Sequence, residues 1–313
     1  MHEEHAMTTS TSTFRAAVVR TPGGPDSIEI IDVPVREPGP GEIRVAVAAA
    51  SVNPVDLGVA GGTFHDMGLV HQPRWTGLGW DFAGTVAAAG PGVDLAPGER
   101  VAGVVVGFDR DHGTYAEQLV VAASQVARVP DGLDLVEAAT VPLNGLAATQ
   151  VVDLLGDAPG DRNRLLVTGV AGAVGGYVAA LAQHRGWQVT GLARAHDDAF
   201  VRGLGAELTT HAEAGWDAVA DAAVLGDDGL ARVRDGGTYV GVRPGAAPAA
   251  ERGITVAVIE TVPDADRLGD LLARAAAGDL PARVHAVLPL DDVADAHRAV
   301  AKGGVRGRYV LTP

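Results

Sequence analysis

The chain contains no cysteine. Disulfides and thiolate nucleophiles are thereby excluded, along with any zinc site that needs Cys ligands. A surplus of positive charge is missing too: 24 Lys and Arg face 39 Asp and Glu, a formal net charge of -15. That balance argues against nucleic acid or an anionic membrane as the main partner. No apolar run approaches the length of a membrane span, and the opening MHEEHAMTTSTST has neither the basic region nor the apolar core of a signal peptide. A soluble, cytoplasmic protein is the expectation. Residues 1–13 read as a disordered leader, within which Met7 is a candidate alternative start. The length is about twice that of a usual domain, so two domains with their own cores are expected.

What is present is a glycine-rich turn. In RLLVTGVAGAVGG, Arg164 to Gly176, an apolar strand (Leu165, Leu166, Val167) runs into Gly169, Gly172 and Gly175 and then into an Ala-rich segment. This outlines a strand, a tight turn and a helix start. Glycines there let the backbone approach a pyrophosphate, and the amides of the first helical turn, at Ala173 and Val174, hold its charge together with the helix dipole. The spacing also serves plain strand-helix connections, so a dinucleotide reading rests on context.

Upstream, from residue 14 to 130, short β-type runs (AAVVR, SIEIIDVPV, EIRVAVAAASV, GTVAAAG, RVAGVVVG) alternate with Gly, Pro and Asp punctuation, the pattern of an all-β barrel or sandwich. From residue 131 to 262 the period changes. A helical stretch, LDLVEAATVPLNGLAATQVVDLLGD, with Asp131 or Asp134 as cap, precedes strands alternating with helices that begin near Gly175, His196 and Leu230, which predicts a parallel doubly wound sheet. Residues 263–313 return to mixed structure: a helix over Asp264 to Ala277, the strand RVHAVLPL, a helix over Asp291 to Lys302 and a last strand GRYVLT.

The order of motifs resembles the medium-chain dehydrogenase/reductase superfamily, in its zinc-free quinone oxidoreductase branch. The residues that carry the resemblance are SVNPVDLGVAGG (Ser51 to Gly62), GWDFAGTV (Gly79 to Val86), PGERV (Pro97 to Val101), GTYAEQLVV (Gly113 to Val121), AATVPLNGLAATQ (Ala138 to Gln150), the glycine turn, GLGAE (Gly203 to Glu207), DGGTYV (Asp235 to Val240) and the closing AHRAVAKGGVRGRYVL. The resemblance implies a GroES-like β-barrel catalytic domain, a Rossmann cofactor-binding domain, an active site in the cleft between them, and a tail that returns to the first domain.

In zinc-dependent relatives a Cys stands three positions before the Asp of the first motif and a His follows the Gly of the second. Here those places hold Asn53, before Asp56, and Trp80, and the third ligand maps near Leu143. An amide and an indole are poor zinc ligands, so no metal site is expected. Without a Lewis acid, alkoxide chemistry loses its usual support, whereas a conjugated carbonyl or quinone spreads the incoming charge as an enolate or hydroquinone anion. Reduction of a small quinone or enone, enoyl thioesters included, is therefore the leading expectation.

The resemblance places Asn53 beside the nicotinamide and gives Asp56 a role in holding its loop. A Tyr that many relatives carry five positions after the Asn is Gly58 here, which makes His65 and His71 candidate proton donors. Trp75 and Trp80 would wall a flat substrate. NAD-selective folds end the second strand in Asp or Glu; here Arg194 stands in that region, which favours the 2′-phosphate of NADPH, and His211 falls where relatives often carry a phosphate-side Tyr. Solvation of Arg194, or its pairing with Asp197 or Asp198, would weaken that inference. Ala223 and the Gly241-Val242-Arg243 turn should line the ribose and nicotinamide. Arg308 matches the basic residue of the closing motif, and Tyr115 reads as structural. Two other functions remain open: a zinc-independent alcohol or ketone reductase, and a non-catalytic NADPH-binding sensor, suggested by Gly58 and by Ala147 where relatives carry Thr. GITVAVIE is the candidate edge strand for a homodimer.

Overall fold

A computed structural model describes residues 12–313. The expected leader falls almost wholly outside them, except that Thr13 already opens the first strand. In chain order the first part carries β1 (Thr13–Val19), β2 (Ile28–Pro34), β3 (Glu42–Ser51), α1 (Pro54–Gly61), α2 (Thr63–Asp66), β4 (Thr76–Gly77), β5 (Asp81–Ala89), β6 (Arg100–Val104), β7 (Gln118–Ala122) and β8 (Val126–Arg128). The middle carries α3 (Leu135–Ala138), α4 (Pro142–Leu155), β9 (Arg164–Thr168), α5 (Ala173–Gln183), β10 (Gln188–Leu192), α6 (Asp198–Gly203), β11 (Glu207–Thr209), β12 (Trp216–Asp221), α7 (Asp227–Leu230), β13 (Val233–Gly241) and β14 (Thr255–Val258). The last part carries α8 (Ala265–Ala276), β15 (Val284–Pro289), α9 (Val293–Lys302) and β16 (Arg308–Thr312).

The middle sheet runs β11-β10-β9-β12-β13-β14, all parallel, so the chain starts at the centre and winds outward in both directions. The order reverses between β9 and β12, the point at which such sheets leave a crevice for ligand. A three-stranded sheet, β2-β1-β4, and a seven-stranded sheet, β15-β16-β3-β5-β6-β8 with β7 also on β3, form the β part. There β16 pairs antiparallel with β3, matching Val310 to Ser51, so the chain end closes the sheet that carries the first motif.

Two expectations about helices need correction. The long helical stretch after residue 131 is divided, α3 being capped by Asp134 and α4 starting afresh at Pro142, whose missing N–H suits a first helical position. The helix expected to begin at Leu230 instead ends there after one turn, and β13 follows at Val233. One apolar cluster runs from Ala49, Trp80 and Val104 through Leu146 and Val151 of α4 to Leu165 and Val178. The six-stranded and seven-stranded sheets are thereby packed through a shared core rather than tethered.

Candidate active site

Asn53 lies where β3 gives way to α1 and is 1% exposed. Its Nδ2 donates to Asp81 Oδ2 at 2.8 Å and to Ser51 Oγ at 3.2 Å, and its Oδ1 accepts from Asn144 Nδ2 at 3.1 Å. Asn144, on α4, in turn accepts from the Arg308 guanidinium. Asp81 also accepts the Ser51 hydroxyl at 2.8 Å and the Leu143 backbone N–H at 2.6 Å. The amide dipoles therefore point one way, from the half-buried Arg308 cation to the buried Asp81 carboxylate. Burial pushes Asp81 up to about 6 in spite of its donors, and burial likewise lowers Arg308. Asn53 and the Leu143 backbone, at and near places to which the resemblance assigns the zinc ligands of relatives, converge on this one carboxylate; Trp80 is its neighbour in the chain.

Asp56 belongs to a different task. It is fully buried and accepts from Asn53 N–H at 2.9 Å, Gly79 N–H at 3.1 Å and Tyr115 OH at 2.8 Å. With donors on both oxygens and no exposed surface it holds the loop rather than meeting substrate. His65 sits on α2 with Nε2 3.2 Å from Thr76 Oγ1. His71 lies at the surface, its backbone N–H on Asp109 Oδ1 at 2.9 Å and its ring facing the same carboxylate, so the structure does not bring it to Asn53. The room left at Gly58 is taken: a Cβ there would come within 2.8 Å of the Phe64 ring. Phe64 stacks on Phe108 with centroids 3.8 Å apart, and Phe108 meets Trp80 edge-on at 5.4 Å. An aromatic layer thus fills the space of the missing phenol.

On the other side of the cleft, Gly169 follows β9 with φ +61°, Gly172 precedes α5, and a Cβ on Gly175 would lie 2.4 Å from the Gly169 carbonyl oxygen. Gly169 and Gly175 are each required for a separate steric reason, the first by its positive φ and the second by the close backbone. Ala173 and Val174 open α5 and turn their amides to its N-terminal end. The ends of β9 and β12 are stitched by Thr168, which donates to Asp221 at 2.6 Å and accepts from Ala223 N–H at 3.0 Å. Tyr239 OH donates to the second oxygen of Asp221 at 2.7 Å. Gly241 ends β13, followed by the half-buried Val242 and the exposed Arg243.

Arg194, just past β10, is exposed and has no carboxylate partner among the described residues. Asp198 is taken by Arg202 at 2.8 Å, and Asp197 is held at 2.6 and 2.7 Å by Arg306, which reaches across from the chain end. Arg283 donates to Ala171 O in the glycine turn at 2.8 Å and stands 3.7 Å over the Phe200 ring. Arg283, Phe200, Tyr177, Gly172 and Arg308 surround a cavity of about 10 Å³, room for about one water. His211 is exposed and engaged by Glu213 at 3.1 Å.

Sequence reasoning passed over Asp81, Asn144, Arg283 and Arg306. Asp81 had a signal, an acid heading the apolar strand DFAGTV; the others are recognisable only by their distant partners.

The first part matches the family model described as Alcohol dehydrogenase GroES-like domain over residues 39–131, and the later part the model described as Zinc-binding dehydrogenase over residues 194–311. The zinc named there does not fit. An amide already bonded at both ends, an indole and a leucine stand at the ligand places, and among the described residues no group of three or more His, Cys, Asp or Glu could hold a metal ion. Among curated proteins, the chain is 40% identical over 157 residues to the pikromycin polyketide synthase component PikAII of Streptomyces venezuelae, 50% of this chain but 4% of that protein. It is 30% identical over 190 residues to a chloroplastic quinone-oxidoreductase homolog of Spinacia oleracea, 59% of this chain and 56% of that one. The chain thus spans only part of the curated relatives it matches. Among solved structures, a quinone oxidoreductase from Coxiella burnetii superposes with TM-score 0.85 at 24% identity, over 96% of this chain and all of that one. An NAD-dependent alcohol dehydrogenase superposes with TM-score 0.81 at 30% identity, over 96% and 99%. The middle sheet is accordingly a nicotinamide-dinucleotide-binding Rossmann fold.

Proposed function

We propose, from the premise that this chain belongs to the medium-chain dehydrogenase/reductase superfamily and lacks a catalytic zinc set, that it is an NADPH-dependent reductase of quinones or α,β-unsaturated carbonyl compounds. The observation that carries the reading is the donor set at the cleft: Ser51, Asn53 and the Leu143 backbone are organised around the Asp81 carboxylate where a metal-dependent relative would hold a cation. Such a site has no Lewis acid to steady a localised alkoxide. A conjugated acceptor spreads its charge and needs only hydrogen bonds.

Bound NADPH would supply the hydride. The residues that would hold it are the glycine turn from Gly169 to Gly175 with Ala173 and Val174, the backbone at Ala223 and at Gly241, Val242 and Arg243, and Asn53 and Arg308 from the catalytic side. Arg194 supports NADPH over NADH because it is a free guanidinium where an NAD-selective chain carries an acid; His211, engaged by Glu213, would lie at the edge of that phosphate site. Positioning is otherwise the work of the Arg308-Asn144-Asn53-Asp81 row, which fixes the floor of the cleft. His65 is the histidine nearer in chain to this region that could deliver a proton, His71 being tied to Asp109.

The decisive measurement is loss of NADPH absorbance with a panel of quinones, enones, enoyl thioesters, simple ketones and saturated alcohols with NADP+. Turnover of conjugated acceptors, unaffected by a chelator, is expected. Strong turnover of saturated alcohols would sink the reading, and silence across the panel with tight NADPH binding would favour a sensor. Self-association through β14, whose outer edge has no partner strand among the described residues, is part of the same reading, and light scattering at the monomer mass would remove it.

A further inference from the structure

We propose that the indole N–H of Trp80 is the hydrogen-bond donor to the substrate oxygen that gains charge during reduction. The inference rests on the reductase reading and adds to it the group that stands in for the missing Lewis acid.

The observation is an orphaned donor. Trp187 Nε1 donates to Gly156 O at 2.9 Å and Trp216 Nε1 to Glu213 O at 2.8 Å, so buried indoles elsewhere in this chain find an acceptor. Trp80 is 6% exposed, and its Nε1 has none among the described residues. A buried donor left unpaired loses its hydration with nothing in return, so it is retained only where something pairs with it in use. Arginines with an unpartnered Nε, such as Arg110 and Arg308, bond through their other nitrogens, but an indole has a single donor and no alternative.

Its surroundings hold that donor still. On one side Gly79 N–H is fixed by Asp56, and on the other Asp81 is fixed by Ser51, Asn53 and Leu143. The Trp80 carbonyl accepts Val105 N–H at 2.8 Å. The ring is wedged edge-on against Phe108, and the Arg110 guanidinium stands 5.1 Å over its face, itself bonded to Val105 O at 2.6 Å. A cation over an indole face draws charge from the ring and sharpens the N–H as a donor. A fixed donor in a water-poor site is worth most where charge develops. Asp81, the next residue in the chain, is bonded to Asn53, and the Phe64–Phe108 stack meets the Trp80 ring at its edge.

In the step, the hydride that bound NADPH would supply, with its electron pair, forms a new C–H bond at the conjugated carbon of the acceptor. The π pair of the acceptor moves onto oxygen, giving an enolate or hydroquinone monoanion, and Trp80 donates to that oxygen without losing its proton. A proton from solvent, directly or by way of His65, completes the product.

The test uses the full chain with NADP+ and the probe 4-nitrophenolate, a planar oxyanion with delocalised charge, in an NMR spectrum of 15N-labelled indoles. The Trp80 resonance should move downfield on binding, while those of Trp187 and Trp216, already hydrogen-bonded, stay in place. Trp80→Phe, which keeps a flat ring and removes the N–H, should bind the probe about tenfold more weakly and lower kcat on a conjugated acceptor about 10- to 100-fold. Its NADPH affinity should be unchanged and its melting temperature no lower. A resonance that does not move at saturation, no binding by the wild-type chain, or a variant within about twofold of wild type in both probe affinity and kcat overturns the proposal. If wild type reduces nothing but the resonance still moves, the donor stands and the reductase reading falls. If the variant fails to fold, the wild-type resonance decides alone.

Discussion

At the scale of single residues, two positions in the cofactor half carry opposite kinds of information. Gly175 is constrained by space: an added Cβ would sit 2.4 Å from a backbone oxygen of the turn, which cannot give way as a flexible side chain would. Gly175→Ala should lower stability by about 1–3 kcal/mol and weaken NADPH and NADH binding together, checked by urea unfolding and nicotinamide fluorescence. Unchanged binding of both would mean the turn is not the phosphate site. Arg194 is constrained by charge alone, being exposed and unpaired. Arg194→Ala should leave stability within about 0.5 kcal/mol, weaken NADPH about 10- to 100-fold and leave NADH as it was. An equal loss for both nucleotides, or none, would remove the 2′-phosphate argument.

At the scale of elements, what was legible in the sequence was what a local stretch decides. The glycines between β9 and α5 show because a tight turn needs them in fixed order, and the parallel sheet shows because apolar strands alternate with helices. The break between α3 and α4 was hidden by continuous helical periodicity, although Pro142 marks it, and α7 was misplaced because the short stretch Leu230-Ala231-Arg232-Val233 suits the end of a helix as well as its start. The wiring of the site was out of reach. Asn53 meets Asp81 at a separation of 28 residues, Asn144 at 91, and Asn144 meets Arg308 at 164, distances over which no spacing rule operates. Asp56 is the exception that could be anticipated, three positions into α1, and its role is a property of the element. Asp56→Ala would strand the N–H groups of Asn53 and Gly79 and the Tyr115 hydroxyl together, so a loss of about 3–5 kcal/mol is expected in urea unfolding. A loss under about 1 kcal/mol would mean the α1 loop is held by something else.

For the whole molecule, three buried titrating groups compete over the acid range. Burial raises Asp56 and Asp81 from 3.8 to about 6, so the folded chain binds their protons more readily than the unfolded one. Their contribution is fully present below pH 3.8 and is lost as pH rises through 6. His297 on α9 runs the other way: fully buried with neither ring nitrogen partnered, it is lowered from 6.5 to about 4, so its contribution is present above pH 6.5 and lost as pH falls through 4. Between pH 7 and pH 5 the histidine loses about 2 kcal/mol while each carboxyl gains about 1 kcal/mol, so the wild-type chain should be nearly level there. His297→Leu removes one side of that balance together with two unpaired nitrogens. The variant should become more stable in urea from pH 7 to pH 5, by about 2 kcal/mol relative to the wild-type profile. Parallel profiles for the two chains would show that His297 titrates normally in the fold, and with that the opposition between α9 and the two buried carboxyls would disappear.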